Sequence, residues 1–268
     1  MDAGSQTSKY GIRSTALTLG ILERLAASPY QQGLSELARA LGTSKWRLFR
    51  HVHALREAGY VIQDPHSEKF ELGTRFYLLT RAIPGRFRFV ETAHPAMMEL
   101  HGRIGHPVVV AAPVNAKMVV LDAVSGQGGP SLVIAFGKPH DLHASAHGKV
   151  ALAFGTPDLL EAAVKGPLPR YTRHTITSPE RLQREVALVR RRGWAAAFEE
   201  GPRSGMNTTA APLFSAGGRF EGSMGFIVPG PARAVRSRQF ADEVERLLAA
   251  AHTVSRRLGD RRSSAAPA

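Results

Sequence analysis

Between Leu41 and Val61 the chain reads LGTSKWRLFRHVHALREAGYV, a stretch whose cations are spaced for contact with a polyanion. Thr43 or Ser44 caps a helix here and Gly59 stops it. Turning each residue by about 100° puts Leu48, Val52 and Leu55 on one face. Trp46, Arg50, His53 and Glu57 fall opposite, with Arg47 at the flank. An arginine fork can pair with guanine through two hydrogen bonds, and a helix N-terminus beside Lys45 suits a phosphate. Trp46 has no hydrogen-bonding code for bases. It can pack on a thymine methyl or a sugar, or donate its indole N–H to a phosphate. A one-position change of helix phase would tuck Trp46 against neighbouring structure, whereas Arg47 and Arg50 stay accessible in either phase. His51 and His53 read as surface histidines.

Two other clusters invite chemistry. His140, His143 and His147 form H-x2-H-x3-H, and helical spacing can bring the last two to one face. A structural metal site wants four ligands, and no cysteine or acidic cluster stands nearby, so no metal is expected. Glu199 and Glu200 are adjacent on a turn and cannot flank a substrate as a glycosidase pair does. No nucleophile elbow, phosphate loop or dinucleotide fingerprint is present, so neither enzymatic activity nor a cofactor is expected.

The 268 residues carry 35 Lys and Arg against 22 Asp and Glu, a formal charge of +13. Such a charge points to nucleic acid or an anionic membrane surface, although a GC-rich genome, which favours Arg, raises the same number. The absence of cysteine excludes disulfides, cysteine-ligated metals and thiol nucleophiles. MDAGSQTSKYGIR lacks the apolar run of a secretory signal, and no segment is long and apolar enough to span a bilayer. A cytoplasmic protein with no membrane partner is expected.

The elements that must position these residues follow from periodicity. STALTLGILERLAAS and LSELARALG read as helices, with Ser35 as N-cap of the second. After the cationic helix, YVIQD and KFELG read as strands around the turn PHSE. Helix, helix, tight turn, helix and hairpin make a winged helix-turn-helix, with His66 and Lys69 on the wing available to phosphates. Pro84 and Gly85 mark a linker. Beyond it, ETAHPAMMELHGRIG reads as a helix whose start Pro95 obscures. PVVVAAPV, KMVVLDAV and PSLVIAFG read as strands, and ASAHGKVALAFG as a short helix. SPERLQREVALVRRRG is a helix capped by Ser178, NTTAAPLFSAGGRFEGSMGFIVPG a hairpin turning at Gly217-Gly218, and RQFADEVERLLAAAHTVSRRLG a closing helix. Strands flanked by helices make an α+β domain.

LSELARALGTSKWRLFRHVHALREAGYV and the wing's FELG also carry a resemblance, joined by HDLHASAHGKVALA with its small-residue helix. In YTRHTITSPERLQREVALVRRRGWAAAFEEGPRSGMNTTAAPLF the carriers are the Thr-x-x-Thr start, the arginine-rich helix, the EE…G turn and the AAP strand, and GSMGFIVPGPAR follows as a last core strand. Almost end to end, the chain resembles the IclR family of bacterial transcriptional regulators. The resemblance implies an N-terminal winged helix-turn-helix over 10–74, a linker helix and linker over 75–88, and a GAF-like α+β effector-binding domain over 89–260. Residues 261–268 are expected to be a disordered tail. The implied partners are double-stranded operator DNA, a small-molecule effector and further copies of the chain, as a homodimer or a tetramer built as a dimer of dimers.

On this reading Thr43, Ser44, Lys45, Trp46, Arg47 and Arg50 contact DNA from the helix, and His66 and Lys69 from the wing. The resemblance places Ser145, Ala146, His147, Phe198, Glu199, Thr208, Thr209 and Gly225 around the effector. Three departures matter. Trp46-Arg47 stand where the family usually has Ser-Thr, implying a different operator. Gly225 and Ile227 stand where some members that bind small carboxylates have serines, which argues against a glyoxylate- or pyruvate-like effector. His147 replaces a small residue and can contact an anionic or hydroxylated ligand. With Phe198 as a stacking wall, an aromatic or other medium-sized organic acid is expected. A non-specific basic DNA binder would explain the charge but not the large second domain.

Overall fold

A computed structural model of the chain describes residues 13–82, 88–125, 137, 139–203, 205–231 and 238–261. They fall into two compact units, one ending at Ala82 and one starting at Arg88. The expected strand over 130–137 and the tail lie almost wholly outside the described residues.

The first unit runs α1 (Arg13–Ala26), α2 (Leu34–Ala40), α3 (Lys45–Glu57), β1 (Val61–Gln63), β2 (Phe70–Leu72) and α4 (Arg75–Arg81). Its core joins Ile21 and Leu25 of α1, Leu37 of α2, Leu48, Val52 and Leu55 of α3, and Val61 and Phe70 of the wing. Ser44 caps α3 by accepting the Arg47 amide at 3.3 Å. The cap of α2 lies at Gly33, not Ser35, because the Glu36 carboxylate accepts the Gly33 N–H at 2.9 Å and starts the helix at Leu34. Gln32 exchanges two backbone hydrogen bonds with Phe70, which ties the α1–α2 loop to the wing.

The second unit runs α5 (Arg88–Ile104), β3 (Val108–Val114), β4 (Lys117–Val124), β5 (Pro139–His140), α6 (Ala146–Phe154), α7 (Pro157–Lys165), α8 (Pro179–Arg192), β6 (Ala195–Phe198), β7 (Met206–Ser215), β8 (Arg219–Pro229) and α9 (Arg238–Arg257). Its sheet has the order β5-β4-β3-β8-β7-β6, with every neighbouring pair antiparallel. Alternation along each strand assigns residues to two cores. Val108 and Val110, with Met224 and Phe226, pack under α5 and α9. Val109 and Ala111, with Ala195, Ala197, Ala210 and Ile227, pack under α6 and α8.

Pro95 sits inside α5 without ending it. The hydrogen bond it cannot make leaves the carbonyl of Glu91, an exposed residue, to solvent. Two elements carry weak sequence signals. The α7 helix buries no residue fully, and β6 reads Ala-Ala-Ala-Phe, poor in β-formers. The alanines are there because α6, itself rich in small residues, approaches the sheet closely. Gly148 is as closely packed on the loop that precedes α6, since a Cβ there would lie 2.3 Å from the Leu142 carbonyl oxygen.

Lys149 of α6 is 1% exposed and is among the largest fully buried side chains. Its ammonium donates to Glu200 Oε1 at 2.7 Å and to the Ala196 carbonyl at 2.9 Å. Removing one member of a buried pair costs about 3–5 kcal/mol, whereas replacing both by apolar groups is often neutral. Lys149→Met is therefore expected to destabilise the second unit by that amount, and Lys149→Met with Glu200→Leu to restore most of it. Urea unfolding followed by Trp194 fluorescence, with Trp46→Phe removing the other tryptophan, measures both; a single-variant loss below about 1 kcal/mol would refute the assignment.

Candidate nucleic-acid interface and effector cavity

The α3 helix exposes the side that its periodicity leaves over. Trp46 is 71% exposed and the Arg50 guanidinium lies 5.3 Å from its ring centroid. The pair is spaced i, i+4, so each holds the other on the outer face. Lys45, Arg47 and Ser44 are exposed and Thr43 is half-buried at the turn. His51 points elsewhere: its Nδ1 lies 2.8 Å from Thr18 Oγ1, tying α3 to α1. Burial lowers the His51 pKa, and the charges of Arg47 and Arg50 lower it further. Phe49, half-exposed and 5.8 Å from the His53 ring, was missed because an apolar residue beside a core position reads as core. On the wing, Asp64 Oδ1 accepts the amides of His66 and Ser67 and the Ser67 hydroxyl. This turn presents His66 and Lys69 to solvent.

In the second unit a cavity of about 480 Å³ lies on the α6 side of the sheet, within the size range of small-molecule sites. Val109, Ala111, Met118, Val120, Ala197, Met206, Thr208 and Ile227 form its sheet wall. Pro139 and His140 of β5 extend that wall, and the rest of the lining comes from Asp141, Ala144, Ser145 and His147, from Tyr171, and from Gly201, Pro202 and Arg203. The Asp141 carboxylate ion-pairs with Lys117 and accepts the Tyr171 hydroxyl. Burial works upward on Asp141, but these two partners outweigh it and hold its carboxyl below the usual range. Burial and the Asp141 contact push the Tyr171 hydroxyl up to about 12, so it remains protonated.

Of the eight residues expected around the effector, Ser145, His147 and Thr208 line the cavity and five do not. The reason is the period of two. Ala197, Thr208 and Ile227 stand side by side across β6, β7 and β8 on the cavity face. Thr209 pairs with Phe226 and so faces the other core. Phe198 also lies on that far face, its ring 5.9 Å from Phe240 of α9. Ala146 is fully buried in the α6 core. Glu199 takes a positive φ of 52° at the turn, its carbonyl accepting the Thr172 hydroxyl at 2.6 Å. Gly225 is covered: a Cβ there would meet the Thr209 carbonyl oxygen at 2.3 Å and His147 Cε1 at 2.9 Å. Its glycine makes room for the imidazole. Among the described residues no three His, Cys, Asp or Glu side chains gather as a metal site, and His143 Nε2 is 3.0 Å from the Pro169 carbonyl.

Comparison with known proteins follows the same division. Residues 15–65 match the IclR helix-turn-helix domain model, and residues 85–256 the model described as bacterial transcriptional regulator IclR C-terminal. The HTH-type transcriptional regulator KdgR of Dickeya chrysanthemi is 26% identical over 251 residues, covering 93% of this chain and 79% of that one. BhcR of Paracoccus denitrificans, another HTH-type transcriptional regulator, is 27% identical over 246 residues, covering 91% and 87%. Among solved structures, IclR of Thermotoga maritima superposes with a TM-score of 0.73 at 25% identity, covering 93% of this chain and 100% of that one. An IclR homolog from Microbacterium hydrocarbonoxydans, complexed with 4-hydroxybenzoate, gives 0.77 at 24% identity, covering 91% and 98%; at that identity it speaks to fold alone.

Burial, with a smaller contribution from His140, pushes the His147 imidazole down from 6.5 to about 3. In the unfolded chain this histidine takes a proton near 6.5, so between about 6.5 and 3 the unfolded state binds more protons than the folded one. Stability of the second unit is expected to fall as pH drops through that window, and His147→Gln to remove that part of the slope. The difference amounts to at most about 1.4 kcal/mol per pH unit. Parallel slopes for the two proteins in denaturant titrations at pH 4 to 7 would show that His147 is already protonated when folded.

Proposed function

The chain belongs to the IclR family of bacterial transcriptional regulators, and from that premise we propose that it is a sequence-specific regulator whose operator affinity is set by an organic acid held in the second unit's cavity. The observation that carries the DNA half is α3, which exposes Ser44, Lys45, Trp46, Arg47 and Arg50 while burying Leu48, Val52 and Leu55. Arg47 and Arg50 read base edges, Trp46 holds Arg50 in place and adds apolar contact, and Lys45, His66 and Lys69 meet phosphates.

The mostly apolar lining of the cavity, with Tyr171 and Met118 in its walls, favours an aromatic acid. Arg203 on the lining supplies positive charge for the acid group. The 4-hydroxybenzoate held by the Microbacterium homolog is of this class. Thr208 and Ser145 supply hydroxyls that orient such a ligand. The protein works in the cytoplasm as a homodimer or a dimer of dimers. The exposed apolar residues Tyr77, Leu78 and Leu79 of α4 are available for self-association.

Binding to the DNA upstream of its own gene, with excess competitor at physiological salt, tests the DNA half. Arg50→Ala is expected to cost about 1–3 kcal/mol and relax the sequence preference, while Lys69→Ala weakens all sequences alike and lowers the salt slope by about one. Equal affinity for operator and competitor, with Arg50→Ala and Lys69→Ala behaving alike, would instead favour a non-specific basic DNA binder.

A further inference from the structure

His147 is 93% buried, being 7% exposed, and it lines the cavity. Its ring runs along β8. Nδ1 lies 2.8 Å from Ser223 Oγ, and Cε1 and Nε2 lie over Gly225, where an added Cβ would approach them to 2.9 and 3.0 Å. The next residue of β8 on the same face is Ile227, part of the cavity wall with its neighbour Thr208. Among the described residues Nε2 is one of three buried side-chain nitrogen or oxygen atoms with no hydrogen-bond partner. A buried polar atom left without a partner is costly; Nε2 itself presents almost no surface to the cavity its residue lines, so a ligand group reaches it with a small displacement of the ring.

The chemistry of that partner follows from the ring. Neutral imidazole presents either a lone pair or an N–H at Nε2, according to whether Nδ1 donates to Ser223 or accepts from it. A hydroxyl both donates and accepts, so it satisfies Nε2 in either tautomer. A carboxylate can only accept, and setting its charge among Val109, Ile227 and Gly225 carries a large desolvation cost. We propose that His147 selects effectors carrying a hydroxyl group apart from their acid group, and that this hydroxyl binds Nε2. Ser223 fixes the ring and the missing side chain of Gly225 makes its seat. Ser223 is thus a positioning residue, two residues before Gly225 on the same face of β8.

This inference rests on the cavity being the effector site, and the test separates the two. Calorimetric titration of the full chain uses matched pairs: benzoate with 4-hydroxybenzoate, and phenylacetate with 4-hydroxyphenylacetate. The wild type is expected to favour the hydroxylated member of at least one pair by about tenfold or more, and His147→Leu to bring that ratio near one. His147→Gln, which keeps a donor and an acceptor, is expected to recover part of the preference. A second readout needs no variant: the Nε2 nitrogen resonance of His147 shifts with the hydroxylated acid and stays in place with its unsubstituted partner. Equal affinities within both pairs, or an unmoved resonance at saturation, would overturn the hydroxyl assignment while leaving the effector site standing. Failure of all four acids to bind would overturn the aromatic-acid reading, and the hydroxyl assignment with it.

Discussion

One buried ammonium holds the second unit's cavity in shape. Lys149 reaches from α6 to Glu200 and to the Ala196 carbonyl of β6, with Glu185 of α8 at 4.0 Å. The Glu200 carbonyl in turn accepts the Thr175 hydroxyl at 2.7 Å, and Thr175 Oγ1 receives the Tyr171 and Thr172 amides. A single cation thus fixes the EE…G turn, the 171–175 segment, a helix and an edge strand. Tyr171 and the Gly201–Arg203 stretch, both cavity walls, hang from this network. Burial raises the Glu200 pKa and the Lys149 charge opposes that rise. A buried pair of this kind adds little net stability over an apolar one; what it does here is dictate which segments meet.

The sheet supplies the second constraint. Its alternation sends Thr208 to the cavity and Thr209 to the opposite core, and the same rule turns Phe198 away from the cavity. The aromatic wall is Tyr171, whose hydroxyl is spoken for by Asp141. On the DNA side the helical period plays the corresponding part, setting Leu48, Val52 and Leu55 inward and Trp46 with Arg50 outward.

The first unit was largely legible in the sequence, because caps and glycine stops bound short helices whose apolar spacing is unambiguous. Ser44 and Gly59 bracket α3 as expected; only the α2 cap moved, since glutamate reaching back to Gly33 outcompetes Ser35. In the second unit β3 and β4 were legible from their β-branched runs and β7 and β8 from the Gly217-Gly218 turn between them, whereas β6 was hidden by its alanines. The cavity was legible as a region and not as a residue list. Position along a strand gives the pairing of faces, but only the register across β6, β7 and β8 tells which residues share the cavity face. Asp141, Tyr171 and Arg203 lie on loops, where no periodicity marks an inward side chain. The role of Gly225 could be seen only once His147 lay above it.

The central claim is that occupancy of the cavity and affinity for the operator are linked. Linkage is a free energy and works in both directions. The most direct test is the operator Kd of the full chain at zero and saturating concentration of an aromatic acid that binds it, repeated with Thr208→Trp, which fills the cavity floor. The account predicts a change of about fivefold or more in the wild type, and none in Thr208→Trp. An operator Kd unchanged by a ligand shown to saturate the protein would contradict it.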